Sequence, residues 1–134
     1  MNPDDLLARM AVTLRRDIGP NVGDDYARTQ AFMAAVVLEK LGRQLALGPQ
    51  HERANRDDAV ALADALTALV ERTAVLQTAL AGLRAEPGGP SLGRLVEALY
   101  RERITLGDDG FATALGLARA ALRRRVDRQL EYSA

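Results

Sequence analysis

Three observations predict an all-α fold. Leucine and alanine recur at three- and four-residue steps, period-two alternation of β-branched residues is missing, and Gly-Pro punctuation cuts the chain into helix-length segments. About five helices with short connections favour an antiparallel up-and-down helical bundle. The 134 residues, 48% apolar and 27% charged, suffice for one domain over 1–134 with its own core, and they exclude intrinsic disorder.

The first helix opens with Asn2 as N-cap, Pro3 at the first helical position, and Asp4 and Asp5 in the first turn. Its apolar stripe is Leu6, Leu7, Met10, Leu14 and Ile18, and Gly19-Pro20 stops it. A second helix is predicted from about Asp24 to Leu45, with Tyr26, Met33, Val37 and Leu41 as one inward stripe. Ala31, Ala34, Ala35 and Leu38 widen that stripe until the helix is apolar on all sides, which predicts a central position. Gly48-Pro49 should end it, and Gln50 to Arg56 is a polar segment, either a loop or an added helical turn. The third helix covers roughly Asp57 to Arg84, with Val60, Ala63, Leu66, Val70, Leu76, Leu80 and Leu83 buried and a phase drift near Thr73. Pro87-Gly88-Gly89-Pro90 is the clearest break. Ser91 should then cap a short helix carrying Leu92, Leu95, Val96, Leu99 and Tyr100. Gly107 to Gly110 turns the chain into a fifth helix, from about Asp109 to Glu131, with Phe111, Leu115, Ala118, Leu122 and Val126 inward.

Composition excludes several chemistries. Without cysteine there is no disulfide, thiolate nucleophile or cysteine zinc site. Without tryptophan, and with three Tyr and two Phe, little is left for stacking bases. One histidine cannot build a multi-histidine metal site. Eighteen basic residues balance eighteen acidic ones, which argues against a generic nucleic-acid binder. The longest apolar run, Ala31 to Leu38, is far short of the ~20 residues that span a bilayer, so no membrane association is expected. The acidic opening lacks an apolar secretory core, and a cytoplasmic protein is expected. Arginine in place of lysine almost throughout suggests a GC-rich bacterial genome.

Four groups of residues invite a functional reading. The pairs Asp4-Asp5, Asp24-Asp25, Asp57-Asp58 and Asp108-Asp109 each open a predicted helix. They could converge on Mg²⁺ or Ca²⁺, but helix capping accounts for them more simply. Arg119, Arg123, Arg124, Arg125 and Arg128 form a basic patch for an anion or an acidic partner, or else a solvated outer face. His51-Glu52 could serve as a base with an orienting carboxylate. No nucleophile lies nearby in sequence, so His51 is expected at the surface. Glu39, Arg43, Glu97 and Arg101 could line a polar site between helices, and ordinary ion pairs are the competing use. No P-loop, dinucleotide fingerprint or His-Glu-x-x-His motif is present, so neither a catalytic residue nor a cofactor nor a metal is assigned.

Asp5-Leu6-Leu7 opening the first helix, and an Ala-rich second helix closing in Leu45 to Pro49, resemble a family of small bacterial all-helical proteins of unknown function. The likeness covers the first fifty residues or so. Members look like neighbours or partners of aminoglycoside-phosphotransferase-like kinases and acyl-CoA dehydrogenases. The resemblance implies an accessory role beside an enzyme. The function expected is thus a non-enzymatic interaction module that forms a homodimer or binds a partner enzyme. The alternative is a small-molecule-binding protein or enzyme with a polar site between helices.

Overall fold

The structure, a computed structural model, describes residues 1–70 and 73–133, the side chain of Val70 aside. It is an all-α helical bundle, with five α-helices and no strand among the described residues. They are α1 (Pro3–Thr13), α2 (Asp25–Val70), α3 (Ala74–Ala85), α4 (Gly89–Arg101) and α5 (Arg103–Leu130). A π-helical turn at Leu14–Ile18 and a 3₁₀ turn at Gly19–Asn21 follow α1, and Glu131–Ser133 form a last 3₁₀ turn.

The predicted second and third helices are one. α2 runs through Gly48-Pro49, and of the two readings of Gln50 to Arg56 the helical one holds. Proline removes one rung of the ladder, the bond to the Leu45 carbonyl. The Ala- and Leu-rich turn before it and the polar residues after it keep helical geometry. The break comes later, where the phase drift lies: Thr73 is extended, with φ −117° and ψ 128°, and α3 starts after it. Asp57 and Asp58 therefore stand inside a helix, not at its start. α4 also starts earlier than its serine suggests, with Gly88 as N-cap and Pro90 in the first turn, and Ser91 is buried. Gly107 has φ +76° and interrupts α5 near its beginning, so Asp108 and Asp109 do open a helical run there.

The chain divides into two compact units, residues 1–51 with 129–134, and residues 52–128. In the second unit, Leu62 and Leu66 of α2 meet Leu76, Leu80 and Leu83 of α3, Leu92, Leu95 and Leu99 of α4, and Phe111 and Leu115 of α5. Burying each of these leucines contributes about 1.5–3 kcal/mol, and this is where the large apolar side chains are enclosed. α3 and α4, joined through Pro87, pack as an antiparallel pair. Val60 and Val126, predicted inward, lie partly outside this core, as does Tyr100. The predicted position of Val70 falls outside the described side chains.

The first unit is built on small residues. Ala11, Gly19, Ala35 and Gly42 are its buried positions alongside His51. A Cβ built on Gly42 would sit 3.5 Å from the Asp4 carbonyl oxygen and 3.6 Å from Leu7 Cβ. α1 therefore crosses α2 at Gly42, close enough that a Cβ there would be in van der Waals contact with α1. The face of α1 turned inward is Leu7, Ala11 and Leu14. Leu6, Met10 and Ile18, predicted within the stripe, are exposed.

Candidate functional site

The predicted inward stripe of α2 faces the other way. Its residues Tyr26, Met33, Val37 and Leu41 are between 43% and 74% exposed, and Leu45, one step further along the same side, is 53% exposed. The side turned to the interior of the first unit carries Ala35, Leu38 and Gly42 instead. A helix apolar all round has no preferred inner side by hydrophobicity alone. Closest approach decides it, and the small residues offer the closest approach. At 100° per residue, the outer face also collects Gln30, Ala34 and Gln44. Asp25, Arg28, Glu39 and Arg43 project elsewhere, and Lys40 flanks the edge. From Tyr26 to Leu45 the face is apolar, amide-bearing and free of formal charge. Depletion of charge around exposed apolar groups is the compositional mark of an interface centre.

Two hollows on the first unit contain the predicted pair Glu39 and Arg43. One, of about 290 Å³, is closed by Lys40 and Tyr132, and the other, of about 390 Å³, by Asp4 and Asp5. Glu39 is already engaged. Its carboxylate accepts from Arg15, with Nη1 2.7 Å from Oε1. Arg43 also has an interaction partner.

His51, expected at the surface, is buried at 8% exposure. Its Nε2 lies 3.0 Å from Glu131 Oε2 and its Nδ1 2.9 Å from the Tyr132 hydroxyl, whose ring leans on it at 5.2 Å between centroids. In the neutral ring, Nε2–H donates to the carboxylate and Nδ1 accepts the phenol proton. Both nitrogens are occupied, so neither is free to take a proton from a substrate. The orienting carboxylate is Glu131, not the neighbouring Glu52. Glu131 and Tyr132 escape sequence reasoning because they stand some eighty positions away and belong to no motif.

The other predicted pair, Glu97 and Arg101, lines a groove of the second unit between α3 and α4. Its volume is about 570 Å³, and Arg94 joins the two on the α4 side. The wall on α3 is Ala74, Val75, Thr78, Ala79 and Gly82, small residues that form no motif.

The predicted basic patch is partly spent inside the second unit. Arg124 and Arg128 both reach Asp58, and Arg128 also donates to Asn55 Oδ1 at 2.7 Å. Arg125 lies against Gly89, whereas Arg119 and Arg123 are exposed. The aspartate pairs serve several purposes. Asp24 caps α2, its Oδ2 accepting from the Ala27 amide at 2.9 Å. Asp58 is an ion-pair partner. Among the described residues no three of His, Asp and Glu are grouped to hold a metal ion. Nor is any helix long and apolar enough to cross a membrane. The chain matches no family model, and no curated protein and no solved structure is significantly similar to it.

Proposed function

We propose that this chain is a non-enzymatic helical interaction module that self-associates through the outer face of α2 in its first unit. The carrying observation is the charge-free stripe Tyr26, Met33, Val37, Leu41 and Leu45, exposed along five helical turns. Single chains rarely leave contiguous apolar patches beyond a few hundred Å² uncovered. Met33, Val37, Leu41 and Leu45 follow one another at four-residue steps and so form a ridge. A second copy presents the same ridge, and two such ridges interdigitate at a crossing angle near −50°. The contact is then isologous, the same residues serving on both sides of a two-fold axis.

Light scattering after size exclusion tests this. The expected mass is twice 14.5 kDa, falling to that of one chain in Val37→Glu with helicity retained. A single-chain mass at every concentration would overturn self-association. Should that monomer gain mass when a phosphotransferase-like kinase is added, the same face would belong to a partner enzyme. This is the accessory role that the sequence resemblance implies.

A further inference from the structure

We infer that the groove between α3 and α4 binds a medium-chain fatty carboxylate, its head group at Arg101 and the N-terminus of α3, its chain along the small residues of α3. This is independent of the self-association face, which lies on the other unit's stretch of α2.

The groove has the size of a small-molecule site, about 570 Å³, within the usual span of several hundred Å³. Its long wall is mostly carbon: Ala74, Val75, Ala79 and Gly82 on α3, with the hydroxyl of Thr78 among them, Ala98 opposite on α4 and Ser91 also lining the groove. From Ala74 to Gly82 the wall runs about 12 Å at the helical rise of 1.5 Å per residue. That suits a slender aliphatic chain better than a fused ring system.

The two ends differ. α3 and α4 are antiparallel and joined through Pro87, so Arg101, at the end of α4, lies level with Ala74, at the start of α3. The first amides of α3 have no helical acceptors, and Thr73 supplies no side-chain cap. The Thr73 hydroxyl, buried beside the start of α3, has no hydrogen-bond partner among the described residues. A helix N-terminus attracts negative charge, and a guanidinium beside it can bind a carboxylate bidentately. Among the described residues neither Arg94 nor Arg101 has an acidic partner. With Glu97 between them, the α4 rim carries a net single positive charge. A singly charged carboxylate balances it, whereas a phosphate dianion leaves an excess.

The test is a titration of the full ¹⁵N-labelled chain with decanoate, below the concentration at which decanoate aggregates, read from amide shifts. Saturable shifts concentrated in α3 and α4 are expected. A Cβ at Gly82 meets nothing within 4 Å, so Gly82→Leu fills the groove without disturbing the helix and should abolish binding at unchanged circular dichroism. Losing a charge-assisted contact in Arg101→Gln should weaken decanoate about tenfold or more and leave decanol unchanged. Absence of saturable shifts, wild-type binding by Gly82→Leu, or decanol binding as tightly as decanoate would each overturn the proposal. Tighter binding of decyl phosphate would overturn the choice of a carboxylate. None of these outcomes bears on the mass of the assembly, which the α2 variants report separately.

Discussion

Arg128 Nη2 lies 2.7 Å from Asp58 Oδ2, and Arg124 Nε reaches the same oxygen at 3.2 Å. Both Asp58 and Arg128 keep only about a quarter or less of their side-chain surface in solvent. An aspartate that reads as a helix cap is thus the link between the second half of α2 and α5. Asp58→Asn leaves the Arg128 guanidinium half-enclosed without its counter-charge. The expected loss in urea unfolding is about 1–3 kcal/mol. Arg123→Gln, on the exposed side of the same helix, should stay within about 0.5 kcal/mol.

Gly19 closes the turn after α1 under the Phe32 ring. A Cβ there would meet the Leu14 carbonyl oxygen and Phe32 Cε1, both at 2.9 Å. The carbonyl is backbone, so the turn itself would have to move. Gly19→Ala should destabilise by about 1–3 kcal/mol, in the range of overpacked sites. Gly93, exposed within α4 with nothing within 4 Å of its Cβ position, is the control. There alanine should stabilise by about 0.5–1 kcal/mol through helix propensity alone.

The helical fold was legible because every segment repeats at three and four residues, and the breaks at Pro87-Gly88 and Gly107 were legible because glycine and proline announce them. Gly48-Pro49 carries the same signal and does not break the helix. One missing hydrogen bond is a small loss within forty-six helical residues. Nor could periodicity choose the inner side of α2, since Val37 and Leu38 are equally apolar and only backbone approach at Gly42 separates them. Of the candidate site residues, Glu97 and Arg101, one turn apart on one helix, line the same groove, with no ion pair between them among the described residues. Glu39 and Arg43 line hollows of the other unit, and nothing local in the sequence distinguishes those two cases. His51 was misplaced because its burial depends on Tyr132, a tertiary contact.

Tyr132 anchors the end of the chain to α2 through one hydroxyl. Tyr132→Phe keeps the ring against His51 and removes the partner of Nδ1, which then stays buried with an unmet acceptor. A loss of about 1–2 kcal/mol is expected in thermal or urea unfolding. Glu52→Gln should change nothing, because Glu52 is exposed and Glu131 is the carboxylate that meets the ring.

Thr73 and Thr67 should respond oppositely to the same isosteric change. Among the described residues the buried Thr73 hydroxyl has no partner, and Thr73→Val removes that desolvated group for a gain of about 1 kcal/mol. Thr67 Oγ1 donates to the Ala63 carbonyl at 2.7 Å and accepts from Arg84 Nη2 at 2.9 Å. Thr67→Val loses both bonds and leaves the Ala63 carbonyl without its side-chain donor, so it should destabilise by about 1 kcal/mol. Melting temperatures of the two variants, compared at equal protein concentration, decide the point.

Concentration itself provides the last measurement. If folding and association are linked through the outer face of α2, dilution shifts the equilibrium toward single chains, and the melting temperature falls with it. The wild-type chain should therefore melt higher as its concentration rises. Val37 is already half in solvent on the single chain, so Val37→Glu removes little from the fold of one copy. Between two copies it sets like charges against each other near the two-fold axis, where an apolar contact is proposed. Its melting temperature should be independent of concentration and match that of the diluted wild type. A wild-type melting temperature that does not move over a hundredfold range would show that the stripe contributes nothing to stability through a second copy.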